Sequence, residues 1–427
     1  MSDGGRDRPG ERRVLVMMAN PMSKQPRVAR ESRALQSRGV EVLGLGTLAR
    51  GDEPRTEIVD GMRVRRIDLW DVRAVRALKR RRAVRRTPAP PADPISAVPV
   101  SPVPPRRDLV SDVRTVLHWA AAAVQFTVHA ARTRVAAYHP HDLPPLLPAV
   151  LLGAVRRRPV VYESHEYWSA KFPDRPMSRR LGRRIERLGC RRADLVLVVN
   201  DTIADRMALD FAIPRPVVVP NVTDIAPIAR VAEWDGASPL EVLYHGIVVP
   251  GRGVEHLVDA VALMKHPARL VVRGPDESGL REALVERARR HGLGERFVYA
   301  DPVPLSQLVE TAAASHVGVM PFENRLGYEV ALPNKLFEYM AAGLAVVSVD
   351  LPEIRRVIDE VGNGVLCTEI SAKVLAAELD ALAADPDRLA AYRHRSLDAA
   401  RHRYNWDAQQ HRLIDAYMPV LENGDRP

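Results

Sequence analysis

Leu332-Pro333-Asn334-Lys335-Leu336-Phe337-Glu338-Tyr339-Met340-Ala341-Ala342-Gly343, followed by the apolar run Leu344 to Val349, is the stretch from which the fold can be read. Pro333 stiffens the approach to a helix whose first turn presents Asn334, Lys335 and backbone N–H groups with no carbonyl to bond, which makes it an anion-binding end. Glu338 projects from the same helix one turn after Asn334. Ala341 and Ala342 allow close packing, and Gly343 breaks the helix before a buried strand. Taken alone, the stretch is equally an ordinary helix-to-strand unit of an α/β domain.

Upstream of it, Leu240 to His245 has the pattern of a buried strand. Gly246-Ile247-Val248-Val249-Pro250-Gly251-Arg252-Gly253 then opens a helix over Val254 to Met264. Glycines at such a junction let a ligand approach the backbone, and Arg252 adds a fixed positive charge beside a helix N-terminus, so a phosphate is the natural guest. The glycine spacing matches neither a P-loop nor a dinucleotide fingerprint, which indicates neither kinase nor dehydrogenase. Strands over Arg269 to Arg273 (closing at Gly274-Pro275-Asp276), Phe297 to Tyr299 and Val317 to Met320 alternate with helices over Glu282 to His291 and Pro304 to Ala313. That alternation predicts a parallel sheet flanked by helices. Pro321 to Glu329 reads as a loop. Asp385-Pro386-Asp387 has the letters of a metal-binding Asp-x-Asp but sits between two helices and reads as a turn and N-cap. A last helix spans Arg403 to Leu421.

The first half opens with a β-α-β unit: Arg13 to Met18, Val28 to Ser37 and Val40 to Leu45. Its first loop should lie at the carboxyl edge of the sheet, where Lys24 and Arg27 are either placed to meet an anion or form a solvated basic turn. Ile58 to Ile67 reads as a hairpin about Asp60-Gly61. Arg76 to Arg86 is arginine-rich and Thr87 to Pro105 is low-complexity Pro/Ala/Val/Ser, so about 76–108 is treated as an exposed insertion. Val113, Leu117, Ala120, Val124 and Val128 share a helical face opposite Arg114, His118 and Arg132, a pattern that suits either core packing or a membrane surface. His139-Pro140-His141-Asp142 reads as a loop at a strand end, since no third spaced ligand makes it a metal site. The strand Pro159 to Tyr162 runs into Glu163-Ser164-His165-Glu166-Tyr167-Trp168, where His165 and Glu166 are either site residues or a structural pair. Helix, strand and helix follow over Arg179 to Arg192, Asp194 to Val199 and Asn200 to Leu209. The turn after Val217 to Val219 marks the domain boundary. The expected division is a tail at 1–12, an N-terminal Rossmann-like domain at 13–220, a second at 221–402, and a C-terminal helix and tail at 403–427.

A chain of 427 residues exceeds one typical core, in keeping with two domains. Cys190 and Cys367 are its only cysteines, which supports no disulfide framework and no thiolate metal site. A charged N-terminus and no uninterrupted apolar run of about 18 residues predict a cytoplasmic, non-spanning protein. Residues 1–220 carry a net +18 and residues 221–427 a net −8, so the two halves are electrostatically different objects. The basic half suits an anionic partner, including the inner membrane face. Aromatic content of 5% and the lack of a finger or RNP pattern argue against nucleic acid.

Together, the Val219-Pro220-Asn221 junction, Tyr244-His245-Gly246 with downstream Arg252-Gly253, and Pro333-Asn334-Lys335-Leu336-Phe337-Glu338 with Ala341-Ala342-Gly343 resemble bacterial family 4 glycosyltransferases of the GT-B fold. Pro21-Met22-Ser23-Lys24 with Arg27-Val28, and Tyr162-Glu163-Ser164-His165-Glu166, are similar to the same group. The resemblance implies two Rossmann-like domains facing across a cleft, with the last helix crossing back to the first. It implies a retaining hexosyl transfer from a nucleotide-sugar donor to a glycan, lipid-linked or small-molecule acceptor, with no cofactor and no metal. By the same match, Glu338 meets the donor ribose, Arg252 the donor phosphates, and Asn334, Lys335 and Leu336 the sugar and pyrophosphate. Gly246 and Gly274 complete the donor site. His165, Arg252 and Lys335 are the expected catalytic residues, and Lys24, Arg27 and Glu166 lie on the acceptor side. Two positions depart from the pattern: Val330 stands where a second glutamate eight residues before Glu338 is usual, and Ile247 where an arginine is. A nucleotide-sugar 2-epimerase and a catalytically idle GT-B-like membrane partner remain alternatives.

Overall fold

The computed structural model describes residues 12–23, 25–48, 53–70, 109–169, 175–224, 226–231, 233–323, 330 and 332–423. The expectations for Lys24, for the insertion at 76–108 and for Glu329 lie outside the described residues. The chain separates into two compact units: Met1–Val199, Ile203–Val218 and Leu413–Pro427 form the first, Asn200–Thr202 and Val219–Arg412 the second.

In the first unit, β1 (Arg13–Met17), β2 (Glu41–Thr47), β3 (Thr56–Val59), β4 (Met62–Ile67) and β5 (Ala137–Pro140) form a sheet in the order β3-β4-β2-β1-β5. All its neighbours are parallel except the β3–β4 hairpin, whose turn residues Asp60 and Gly61 both have positive φ, as a tight two-residue hairpin requires. The strands β6 (Val161–Ser164), β7 (Leu195–Val198) and β8 (Val217–Val218) continue it, because Tyr138 bridges Val160 and His141 bridges Glu163 in parallel. Where the His139 segment was read as a loop, His139 lies inside β5 and both His139 and His141 are fully buried. Proline and polar side chains masked a strand that is covered on both sides.

The helix Leu109–Ala130 decides between the two readings of its apolar pattern. Val113, Leu117, Ala120, Val124 and Val128 face solvent, while Trp119, Ala122, Phe126 and Ala130 are buried, together with Asp112 and Gln125. Asp112 is held there by bonds from the Met177 and Ser178 N–H groups at 2.8 Å each, capping the helix Pro176–Arg192.

In the second unit, six parallel strands run in the order β11-β10-β9-β12-β13-β14: β9 (Leu240–His245), β10 (Ala268–Arg273), β11 (Phe297–Ala300), β12 (Val317–Met320), β13 (Ala345–Val349) and β14 (Gly364–Cys367). Its core is the apolar face of this sheet with Val254, Leu257, Val261, Leu375, Leu379 and Leu382. The last strand follows the helix-ending Gly362, which takes φ +66, and runs from Gly364 to Cys367 as the edge partner of β13. Pro304 to Ala313 is a 3-10 turn (Leu305–Gln307) followed by a short helix (Leu308–Ala312). Asp385 is the expected N-cap, accepting from the Arg388 N–H at 3.0 Å.

Strand order reverses at β9, which lies between β10 and β12, and a doubly wound sheet opens a crevice at such a point. β9 and β12 pair only at Val242–Val317 and Leu243–Gly318 before they part. Tyr339, from the helix Asn334–Ala341, fills the gap. Its hydroxyl accepts the His245 N–H at 3.2 Å and lies 3.3 Å from the Val319 carbonyl oxygen. The ring passes over Gly318, where an added Cβ would sit 2.4 Å from it. Gly318→Ala should therefore lower the stability of the second unit by about 1–3 kcal/mol, measured as a reduced urea midpoint; an unchanged midpoint would show that the wedge does not matter.

Candidate functional site

Tyr339 sets the position of its helix against the crevice, and the helix delivers Lys335 and Glu338 to it. Pro333 caps the helix in an extended conformation, and Asn334 is exposed at its start with Oδ1 accepting from Asn221 Nδ2 at 3.0 Å. Leu336 is fully buried and its N–H donates to the Pro333 carbonyl at 3.1 Å, so it shapes the turn rather than offering a free donor. The first-turn N–H groups of Asn334 and Lys335 precede any helical acceptor.

Lys335 is the centre of the site. Its side chain is buried, with Nζ 4.0 Å above the Tyr244 ring and 5.2 Å from the Phe322 ring centre. A Cβ at Gly246 would come within 3.2 Å of that amine, so the glycine leaves room for it. Gly246 takes φ +118, and Gly274, at the end of β10, brings its Cα so close that an added Cβ would lie 2.1 Å from the Gly246 carbonyl oxygen. Arg252 also lies over Phe322, its Cζ 5.1 Å from the ring centre. Burial, followed by the neighbouring Arg252 charge, pushes the Lys335 ammonium down to about 7, with Glu338 opposing. Two cations thus lie beside one aromatic ring at a helix N-terminus, an arrangement that favours a polyanionic guest.

Glu338 is mostly shielded and sits 2.9 Å from His245 Nε2, at the end of β9. His245 belongs to the Tyr244-His245-Gly246 strand end of the family pattern, but the sequence gives it no role of its own. Val330 is largely buried and its carbonyl accepts Asn200 Nδ2 at 2.7 Å, so this position serves as a backbone anchor.

In the first unit, His165 follows β6 and is partly exposed. Its Nε2 lies 2.9 Å from Glu163 Oε1 and 3.2 Å from His141 Nδ1, and its N–H donates to Asp142 Oδ1 at 3.1 Å. Asp142 holds a left-handed backbone (φ +60) that is rare for a non-glycine residue; the His165 N–H and the Trp168 indole, both 3.1 Å from its Oδ1, hold it there. Burial opposes protonation of His165, but Asp142 and Glu163 outweigh it and hold the ring above its ordinary value. Burial likewise opposes the charge on Glu163, yet Arg27 and the histidines keep its carboxyl well below the usual range.

Arg27, expected on the acceptor side, is instead buried, paired with Glu163 and lying 2.9 Å from Glu31. It is an internal counter-charge, because it sits in the first turn of the helix Pro26–Gln36 among the buried residues and meets two buried glutamates. Glu166 is exposed beside His165. Glu163 and Glu31 were not singled out from the sequence, since a glutamate within an apolar strand or amid arginines carries no local signature.

The chain matches two family profiles: Glycosyl transferases group 1 over residues 239–385 and Glycosyl transferase 4-like domain over residues 87–222. Among curated proteins it is 29% identical over 198 residues to a D-inositol 3-phosphate glycosyltransferase of Nocardia farcinica, covering 44% of this chain and 42% of that protein. A protein of the same description from Thermobispora bispora is 30% identical over 197 residues, covering 43% and 44%. The matches therefore span less than half the length of these relatives. Among solved structures, sucrose-phosphate synthase from Thermosynechococcus elongatus superposes with a TM-score of 0.71 at 16% identity, covering 96% of this chain and all of that one. Anabaena Alr3699/HepE in complex with UDP-glucose gives 0.61 at 14% identity, covering 95% and 99%. At such identities these structures establish the fold alone.

A lysine depressed in the folded state carries its full cost below the folded pKa and loses it as pH rises toward the unfolded value. Lys335→Met should consequently stabilise the ligand-free protein near pH 6, by on the order of 1–3 kcal/mol, and the advantage should shrink between pH 7 and 10. Denaturant titrations of both proteins across that range check it, and a difference independent of pH would contradict the burial argument.

Proposed function

Because the chain belongs to the group 1 glycosyltransferases of the GT-B fold, we propose that it moves a hexose, with retention of configuration, from a nucleotide-sugar donor to a hydroxyl acceptor. The observation that carries the donor reading is the pairing of Lys335 and Arg252 at the β9–β12 crevice, beside a helix N-terminus and two glycines. The anomeric carbon to phosphate bond breaks, negative charge grows on the leaving diphosphate, and preorganised cations stabilise it more than they stabilise the ground state. The new bond forms to the acceptor oxygen on the same face, and the acceptor proton passes to the leaving phosphate oxygen. Glu338 takes the donor ribose hydroxyls, with His245 fixing its carboxylate. In the first unit, His165 contacts the transferred sugar and Glu166 the acceptor. No step calls on a divalent ion at the donor phosphates, where Lys335 and Arg252 supply the charge.

The 2-epimerase reading needs several carboxylates and histidines open to a sugar, but His139 and His141 are fully buried. The assay that decides uses a panel of labelled UDP-, GDP- and ADP-sugars with and without acceptors, including phosphorylated polyols and lipid phosphates. Free nucleotide that appears only with acceptor supports transfer. An interconverted donor sugar supports epimerisation, and neither product supports the idle partner.

In calorimetry with the active donor, Glu338→Ala should weaken binding at least tenfold, about 1.4 kcal/mol. Arg252→Ala should lower turnover while leaving the unfolding midpoint in place. A bound diphosphate raises the Lys335 ammonium again, so at pH 8 donor binding should take up a proton and affinity should fall as pH rises above 7. Titrations in buffers of different ionisation enthalpy read that uptake directly, and its absence in wild type would remove Lys335 from the phosphate site.

A second reading concerns location. None of the described helices is long and apolar enough to cross a membrane. The helix Leu109–Ala130 nevertheless exposes Val110, Val113, Leu117, Val124 and Val128 along one face, in the basic half of the chain. A face of this kind suits peripheral contact with an anionic membrane, on the cytoplasmic side. In flotation with vesicles containing phosphatidylglycerol, wild type should rise with the lipid and the double variant Leu117→Asp/Val124→Asp should remain behind; equal flotation would exclude this face.

A further inference from the structure

Beneath His165 in the first unit, four side chains from three segments converge with their polar ends together: Glu31 from the first helix, His139 from β5, His141 just beyond it, and Glu163 from β6. One ligand atom from each lies within 4.8 Å of every other, and all four residues are buried. The pairing within the cluster is selective. Arg27 lies against the Oε1 atoms of both glutamates, and His141 Nδ1 meets the ring of His165. That leaves Glu31 Oε2, Glu163 Oε2, His139 Nε2 and His141 Nε2 turned toward one another. Among the described residues, none of these four atoms has a hydrogen-bond partner.

Buried polar atoms left unsatisfied are costly, and four such atoms in one place call for a bound partner. The spacing is close to, and in part wider than, that of ligands closed around one cation. His139 Nε2 lies 3.3 Å from Glu163 Oε2 and His141 Nε2 lies 3.8 Å from Glu31 Oε2. Tetrahedral nitrogen and oxygen ligands with metal bonds of about 2.0–2.2 Å stand about 3.3–3.6 Å apart. The surroundings are those of a second shell as well: Arg27 orients both carboxylates through their other oxygens, and His165 engages the far nitrogen of one histidine.

We propose that Glu31, His139, His141 and Glu163 bind one divalent transition-metal ion, with zinc the best match to two nitrogens and two carboxylate oxygens in a closed site. The ion is structural. It ties the first helix to β5 and β6 and fixes His141 and Glu163, the two groups that hold His165. This inference does not depend on the donor reading, because every ligand lies in the first unit and the readouts below do not use activity.

The test uses the full chain with any polyhistidine tag removed. Elemental analysis after gel filtration should find about one equivalent of metal per chain. Cobalt-exchanged protein should show the intense visible absorption of four-coordinate Co2+, and X-ray absorption should give a mixed nitrogen and oxygen shell at about 2.0–2.2 Å. Glu31→Gln and His139→Gln should each lower affinity for added Zn2+ by about tenfold or more. If either variant fails to fold, wild-type stoichiometry and the Co2+ spectrum still decide. Wild-type protein without metal, whose melting temperature does not rise after chelation and addition of Zn2+, Mn2+, Co2+ or Ni2+, would overturn the proposal. So would full metal content in the folded double variant Glu31→Gln/His139→Gln.

Discussion

The splay between β9 and β12 is the constraint on which the candidate donor site depends. Parallel strands that feed helices on opposite faces must part at the point of reversal, and parting leaves the backbone groups at the strand ends without ladder partners. Tyr339 answers both needs with one side chain: its ring fills the gap over Gly318 and its hydroxyl takes the His245 N–H. Since Tyr339 belongs to the helix that also carries Lys335 and Glu338, the residue closing the crevice places the charges at its mouth. A buried ammonium is tolerated there because Tyr244 and Phe322 present ring faces to it, and the nearby Arg252 charge makes the place favour an anion.

The first unit handles charge in the opposite way. Arg27, Glu31 and Glu163 lie inside, among His139, His141 and His165, and their pairing is internal. Burial and the Glu163 charge hold the Glu31 carboxyl well above its ordinary value, whereas Arg27 and the histidines hold Glu163 well below. Without a bound cation, two carboxylates side by side divide in this manner because both cannot ionise cheaply in a buried setting. Tyr417, from the final helix, closes the cluster, with its ring 5.3 Å from that of His139. The partly exposed His165 is thus the outer member of a network whose other members never reach solvent.

How far the amino-acid sequence goes is clearest in the helix Leu109–Ala130. It carries two apolar stripes, one through Trp119, Ala122 and Phe126 and one through Val113, Leu117, Val124 and Val128. Periodicity reveals both and chooses neither. The choice fell to neighbours distant in sequence: the helix Pro176–Arg192, whose Gly182 leaves space for the Trp119 ring, and Trp168, which meets Trp119 edge-on at 6.3 Å. The strand at His139 illustrates the same limit, since proline and histidine disguise a segment whose strand character comes from β1 on one side and the β6 segment on the other.

By itself, the sequence determined the α/β class, the alternation in each half and the Pro333 to Gly343 element with Lys335 and Glu338 upon it. These are short-range properties: turn chemistry, strand runs of 4–7 residues and a helix bounded by Pro333 and Gly343. It also carried the motifs that place the chain in its family. Only the tertiary structure decided that Arg27 points inward, that His245 lies against Glu338, and that Glu31, His139, His141 and Glu163 meet around one point. The physical reason is that side-chain partnership in a buried cluster depends on which strands lie adjacent and in what register. Residues 31, 139 and 163 become neighbours only after β5 is placed between β1 and β6.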